Sequence, residues 1–528
     1  MLRRATVRLI RMGLFCGAAV IALAANPCLP CHPRHVTGYE KTAMARSLSR
    51  PVHVQEGAFT HKLSGTRFTT KTARDTIQIT VSRDGLTATY PVDYVVGSGS
   101  HAYGYLSRVG DYLFQAPISY YVQRAVWDMA PGYESDPAPD FGRPVTAECL
   151  ECHSGQPRAV AGTLNRYERP PFSSDTILCD RCHGNPGEHL RNPGRQNIVN
   201  PARLSTRARD SICEQCHLSG ESRVLNPGRQ WSDFRPGQEL EDVFSVYVRA
   251  TSNATSDPSI KVISHVEQLA LSACARRSRG NLWCGTCHDP HNQPEQPVKY
   301  YRERCLACHG EKLLKTHVKP ADNCIACHMP GRKAKDGAHT VFTDHRIARA
   351  PVTGSQESAP VAKLIAWHEP RGALALRNLG LANIDIGERE RSAELLDEGA
   401  RQVVEAMKTL PPDPVMLTKV GLVLVRKGEG TDAAEVLEYA VQLDPGRAGS
   451  HVNLGNAYKE SGLAEKAIAE FERAIELDPS LESAYRSLAE IYSRAGNADG
   501  VRKTFERYLK FMPNSMTARK ALLGSTSR

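Results

Sequence analysis

The hydrophobic pattern changes character several times along the chain, and each change predicts a different kind of element. Arg3, Arg4, Arg8 and Arg11 precede an apolar stretch from Met12 to Ala25, with the small residues Ala22-Leu23-Ala24 near its end. A run of about 14 apolar residues is too short to cross a bilayer comfortably. Residues 1–24 therefore read as a secretory signal peptide cleaved after Ala24, leaving no stable membrane span and a periplasmic or secreted product. From about Phe59 to Val96, β-branched and polar residues alternate, as in Thr76-Ile77-Gln78-Ile79-Thr80-Val81, and Asp84-Gly85 is a hairpin turn. A small antiparallel β insertion is expected at about 59–96. From Cys149 to Cys327 short helical segments alternate with Gly-, Pro- and Asn-rich loops, and Pro, Gly and Ser then mark a linker at 351–360. Beyond it Pro445, Pro479 and Pro513 recur every 34 residues. The clearest unit has Leu454, Gly455, Tyr458, Ala467, Phe471 and Ala474 ahead of Pro479. Partial copies hold Val420, Gly421, Leu424, Ala433, Leu437 and Ala440 before it and Leu488, Ala489, Tyr492 and Phe505 after it. A degenerate copy lies near Leu379-Gly380. Such a period predicts three to four stacked helix pairs over 361–528.

The cysteines change the picture most. Fourteen of the 16 fall in seven Cys-x-x-Cys-His motifs: Cys28/Cys31/His32, Cys149/Cys152/His153, Cys179/Cys182/His183, Cys213/Cys216/His217, Cys284/Cys287/His288, Cys305/Cys308/His309 and Cys324/Cys327/His328. This is the attachment signature of c-type haem, in which two thiols bind one porphyrin edge and the next imidazole ligates the iron. Zinc, dithiol or disulfide readings leave the histidine after every second cysteine unexplained. Seven covalently attached haems c are expected, and residues 25–350 are expected to bury porphyrin faces in place of a large aliphatic core. The last five motif intervals are 30, 34, 71, 21 and 19 residues, too short for separate protein cores, so neighbouring porphyrins should pack closely. Cys16 leaves with the signal, and Cys274 reads as a small buried thiol.

Ten further histidines precede residue 350, and the best distal-ligand candidates are His61, His101, His189, His265, His291, His317, His339 and His345. His35, His53 and Met44 are weaker. His291 follows His288 too closely to reach the same iron and is expected to serve a neighbour, and Asp344 is placed to orient an imidazole. The formal charge of +10 includes the four signal arginines, leaving +6. About fourteen propionate charges on seven haems would reverse that sign, so nucleic-acid binding is not implied.

Two resemblances extend this reading. Residues 26–350, with Cys287-His288-Asp289-Pro290-His291, the Cys-His-Met-Pro of 327–330 and Thr343-Asp344-His345-Arg346-Ile347, resemble the multihaem cytochrome c superfamily. That group includes the tetrahaem cytochrome of ammonia oxidisers, octahaem hydroxylamine oxidoreductase and the ammonia-forming nitrite reductases. The 34-residue units resemble tetratricopeptide (TPR) repeats. The first resemblance implies parallel and perpendicular haem pairs and favours His189, His265 and His291 as distal ligands. The Cys-x-x-Cys-Lys haem of the nitrite reductases is absent. Tyr39-x-x-Thr42-x-Met44 stands where the tetrahaem relative has Trp-x-x-Ser-x-His, which leaves one distal ligand open. The expected fold is mostly α: a haem-packed cytochrome domain over 25–350 with a small antiparallel β insertion, then an all-α TPR solenoid. The leading expectation is an electron-transfer protein docked to a redox partner through its repeats. The alternative is an oxidoreductase acting on a small nitrogen or sulfur species at a haem with an open distal site.

Overall fold

The computed structural model describes residues 26–51, 55–73, 76–250, 260–310, 314–315, 317, 322–349 and 363–525. The signal segment, Cys16, His53 and the linker lie outside them.

Alternation builds the first sheet as the sequence predicts. Gly57–Thr60, Arg67–Ala73, Thr76–Arg83 and Leu86–Val92 form a four-stranded antiparallel meander. Ile77, Ile79 and Val81 point inward at 2% exposure or less. At the Asp84-Gly85 turn both residues have positive φ, 53° and 77°, the left-handed pair that a two-residue hairpin requires.

The sheet content goes well beyond 59–96. Leu48–Ser49, Tyr94–Val96, Ala102–Val109, Tyr112–Tyr121, Val126–Met129 and Arg143–Pro144 make a second, six-stranded sheet. Its inner residues Tyr105, Ala116, Ile118 and Met129 pack against Phe68, Ile79, Val81 and Tyr90 of the first, with Tyr90 stacked on Phe141 at 3.9 Å. The protein is helix-rich but carries substantial sheet, and the early part of the 25–350 region has an aromatic and β-branched core of its own. That corrects the expectation that porphyrin faces replace a core throughout this region.

A different regime begins later. Among the described residues from Ala273 to Lys333, not one is buried, although the stretch holds the helices Ala273–Ser278, Cys284–Cys287, Pro297–His309 and Cys324–His328. Helices this short do not hold together on backbone propensity alone and need a packed face.

The C-terminal region is an array of antiparallel helix pairs: Leu374–Glu390 with Ala393–Ala406, Pro414–Lys427 with Gly430–Leu443, Ala448–Glu460 with Ala464–Leu477, and Glu482–Arg494 with Ala498–Phe511. A final helix, Met516–Ser525, follows. The recurrent small residues permit close approach; a Cβ on Gly455 would lie 2.8 Å from the Phe471 ring. The array is tied to the sheets at both ends. In the first pair, Asn378 Nδ2 donates to Asn226 Oδ1 and Ser245 Oγ at 2.9 and 3.0 Å, and Leu381, Ile384 and Ile386 pack with Val224, Tyr247 and Leu364. At the far end, the Met516 amide donates to Asp140 at 2.8 Å and Tyr112 meets Phe511 edge-on at 5.1 Å.

Candidate functional site

A single helical turn explains why each motif works as a unit. Residues three apart share a helix face, and the residue after the second cysteine follows on the same side. The helix Thr206–His217 carries Cys213, Cys216 and His217 on its last turn and is capped at its start by Ser205 Oγ, which accepts from the Ala208 amide at 3.3 Å. Pro297–His309 and Cys324–His328 likewise end on the histidines of the sixth and seventh motifs.

No disulfide joins the motif cysteines. Thiols of different motifs approach one another: Cys28 meets Cys179, Cys152 meets Cys216, Cys213 meets Cys284, and Cys305 meets Cys324. Cys31 and Cys308 belong to none of these four pairs, and both are exposed, as are Cys149 and Cys327. The cause is local. Cys31 lies in the turn just before the helix Pro33–Tyr39, which buries only Val36, and Cys308 lies on Pro297–His309, which buries none of its residues. Neither thiol therefore has a protein face packed over it, whereas Cys28 and Cys305, the first cysteines of the same two motifs, are half-buried. Cys274 is half-buried too, not the buried thiol expected.

The imidazoles pair across motifs. Five motif histidines each face a further histidine: His32 and His189 at 6.3 Å between ring centroids (His35 lies equally far from His32 but is tilted by 48°), His183 and His291 at 5.9 Å, His217 and His265 at 5.5 Å, His288 and His345 at 6.1 Å, His328 and His317 at 5.8 Å. The first, second and fourth of these pairs are within 27° of parallel. A metal-bound imidazole nitrogen sits about 2.0–2.1 Å from the ion, so two imidazoles sharing one ion have centroids about 6 Å apart. The spacings fit an iron between each pair. Among the described residues, His153 and His309 are in no such pair.

Nδ1 contacts sort the rings further. His183 Nδ1 lies 2.8 Å from the Val199 carbonyl, His328 Nδ1 2.8 Å from that of Ala348, His189 Nδ1 3.1 Å from that of Gly194, and His345 Nδ1 2.9 Å from that of Thr343. His288 Nδ1 lies 3.1 Å from the Tyr301 hydroxyl. An anchored Nδ1 fixes the ring and turns Nε2 outward for ligation. Burial lowers His265 to about 3 and His288 to about 4, and lowers His153, His217, His291 and His345 as well, which keeps these rings in the neutral, ligand-competent form.

Other candidates are engaged elsewhere. His61 has both nitrogens in hydrogen bonds, Nδ1 with Ser64 Oγ at 2.9 Å and Nε2 with the Glu134 carbonyl at 3.1 Å. His339 Nε2 binds Asp128 at 2.6 Å. His101 stacks on Phe342 at 4.1 Å and contacts Gln123 at 2.8 Å. His35 lies 5.0 Å from His291. Asp344 does not orient an imidazole: its carboxylate takes Arg346 at 2.7 Å, and the adjacent ring turns to the Thr343 carbonyl. Among the described residues no three or more His, Cys, Asp or Glu side chains are grouped to hold a metal ion directly. A structural zinc site needs four such ligands.

Three residues inside the motifs form a contact that the motif pattern does not predict. Arg181 Nη2 donates to Glu151 Oε2 at 2.7 Å and to Gln215 Oε1 at 2.9 Å, and Gln215 Nε2 donates back to the Arg181 carbonyl at 3.3 Å. Glu214 receives Trp367 Nε1 at 3.0 Å and His368 Nε2 at 3.0 Å, which joins the fourth motif to the segment just ahead of the helical array. The x positions of Cys-x-x-Cys-His accept any residue, so no sequence signal marked these.

Comparison with known proteins bears on the array alone. Residues 455–496 match the TPR repeat family, and the chain thus carries TPR repeats, a class of helical module that contacts other proteins. Among solved structures, the chain is similar to MamA at 23% identity over 28% of this chain and 81% of that one, with a TM-score of 0.25. It is similar to YrrB, described as a TPR protein with an unusual peptide-binding site, at 19% identity over 28% and 74% of the two chains, TM-score 0.25. For MamA from Desulfovibrio magneticus RS-1 the identity is 25% over 28% and 77%, TM-score 0.23. No curated protein matches the chain. No described helix is long and apolar enough to cross a membrane.

Proposed function

We propose that this chain is an exported multihaem c-type cytochrome that carries electrons along seven covalently attached haems, with its TPR array offering a surface to a redox partner. The observation that carries the reading is the set of five histidine pairs at 5.5–6.3 Å, each joining the histidine of a Cys-x-x-Cys-His motif to one outside that motif. His189, His265, His291, His317 and His345 would be the distal ligands. The unburied helices between Ala273 and Lys333 supply a second argument, because porphyrin faces would provide the packing that protein side chains do not. Bound haem supplies reversible one-electron transfer. The chain's own part is to anchor His183, His189, His288, His328 and His345 through Nδ1, to hold His217, His265, His288, His291 and His345 toward the neutral form by burial, and to bring successive motifs together. Export before attachment accords with the N-terminal segment, and the array exposes the apolar side chains of Val404, Tyr439 and Leu443, which are available to a partner protein.

The test is magnetic resonance on the purified, haem-loaded protein in the ferric state. At least five low-spin irons with two nitrogen ligands are expected. A majority of high-spin irons would refute the assignment.

A further inference from the structure

We infer that Glu151, Arg181 and Gln215 form a charged knot that positions three attachment motifs at one junction and sets, through its paired charges, the redox potentials of the haems held there. The inference rests on the haem reading proposed above.

Each member of the knot precedes the second cysteine of its motif: Glu151 before Cys152, Arg181 before Cys182, Gln215 before Cys216. All three are about equally buried, at 6% exposure. The hydrogen bonds close in both directions, Arg181 to the carboxylate and backbone carbonyl of Glu151 and to the Gln215 amide oxygen, with Gln215 returning to the Arg181 carbonyl. The second, third and fourth motifs therefore cannot shift independently. Cys152 Sγ lies 3.7 Å from the Gln215 carbonyl oxygen, which places the second and fourth motifs side by side. The Cys213 and Cys284 contact brings the fifth motif to the same junction.

Stability alone does not account for a charged pair here. A buried ion pair contributes little net stability relative to well-packed apolar side chains, because desolvation offsets the attraction. A fixed pair of opposite charges in a low-dielectric interior does something that apolar residues cannot: it acts on any nearby group that changes charge. An iron passing from ferric to ferrous gains one electron from the donor and loses one unit of positive charge. An unopposed Arg181 guanidinium would favour the ferrous state and raise the potential. An unopposed Glu151 carboxylate would favour the ferric state and lower it. Paired, they hold it between, and Gln215 fixes where the guanidinium sits.

The experiment uses the full-length, haem-loaded protein and its Glu151→Gln, Arg181→Gln and Arg181→Lys variants. Covalent haem is counted by intact mass, and potentials are read by optical redox titration. Glu151→Gln is expected to move a minority of the haems, those of the second to fourth motifs, to higher potential while the rest stay in place. Arg181→Gln is expected to move the same haems lower, and Arg181→Lys to restore them most of the way. A purely structural knot would not give shifts of opposite sign from two near-isosteric changes. Seven haems with unchanged potentials, or shifts of the same sign in both variants, would overturn the inference and leave the haem reading standing. Should Arg181→Gln fail to fold, the direction in Glu151→Gln decides alone: upward supports the knot, and no change or a fall rejects it. A wild-type protein without covalent haem removes both.

Discussion

Replacing Arg377 by methionine tests how the helical array is fastened to the sheets. The Arg377 side chain is 2% exposed, and Nε donates to Asp413 Oδ2 at 2.7 Å. Nη1 donates to the Leu225 carbonyl at 3.1 Å and to Asn378 Oδ1 at 2.6 Å. One residue thus joins the first helix pair, the start of the second pair and the strand Ser222–Leu225. Removing one partner of a buried ion pair costs about 3–5 kcal/mol, since the other charge stays behind. Asp413 is 18% exposed and keeps its capping bonds to the amides of Val415 and Met416 at 2.9 and 3.0 Å, so it remains partly solvated and partnered. The cost therefore falls near the lower end, about 3 kcal/mol. Methionine keeps the apolar stem, which confines the effect to the polar contacts. For a unit of this size each kcal/mol lowers Tm by about 2–4 °C, so a fall of roughly 6–12 °C is expected in the helical unfolding transition followed by circular dichroism. Asp413→Asn retains a side-chain cap acceptor. The Arg377→Met/Asp413→Asn double variant should add little to Arg377→Met, giving a coupling energy within the range of about 0.5–3 kcal/mol typical of contacting pairs. A Tm change under about 2 °C, or strictly additive variants, would show that the contact does not hold the array in place.

Two further substitutions probe the repeats and one the site. His451 is buried, with Nδ1 2.6 Å from Glu470 Oε2 and Nε2 3.0 Å from the Pro445 carbonyl. Burial lowers its pKa, but the Glu470 and Pro445 bonds outweigh this and the net shift is upward. A raised folded-state pKa gives stability that is fully present below the unfolded value, about 6.5, and lost as pH rises through the folded one. Tm should therefore fall as pH rises from about 6 toward 8, and His451→Asn should flatten that slope; an unchanged slope would refute the linkage. Gly455→Ala, with its Cβ 2.8 Å from the Phe471 ring, should cost about 1–3 kcal/mol by overpacking, read as a lower urea midpoint at unchanged m. His291→Ala, which removes the ring 5.9 Å from His183, should convert one low-spin iron to high-spin and admit carbon monoxide there, and an unchanged spectrum would exclude His291 as a ligand.

Local signals were legible and long-range contacts were not. Asp84-Gly85 marked its hairpin because only a few residues accept the backbone angles of that turn. The 34-residue proline spacing and the glycines at matching repeat positions, Gly421 against Leu437 and Gly455 against Phe471, marked the helix pairs, since each repeat meets the same packing problem. The second sheet escaped because its long strand Tyr112–Tyr121 is buried on both faces and lacks the clean alternation of Thr76–Arg83. Pairing His291 with His183, across more than a hundred residues, depends on tertiary placement that no spacing rule encodes. His61 and His339 read as candidates because a histidine that hydrogen-bonds to Glu134 or Asp128 looks the same in sequence as one free to ligate. The motif spacing treats all fourteen cysteines alike, yet Cys31 and Cys308 are exposed while Cys152 and Cys216 are half-buried, a difference set by which helices find a packed face. Asp344 illustrates the same limit, its neighbouring arginine being a stronger partner than an imidazole.

Intact mass combined with thiol alkylation tests the central claim most directly. Protein produced in a host that attaches haem c should show the mass of the polypeptide without residues 1–24 plus seven haems, and Cys274 should be its one alkylatable thiol after denaturation. A mass equal to the bare polypeptide, with the fourteen motif cysteines open to alkylation, would contradict the account.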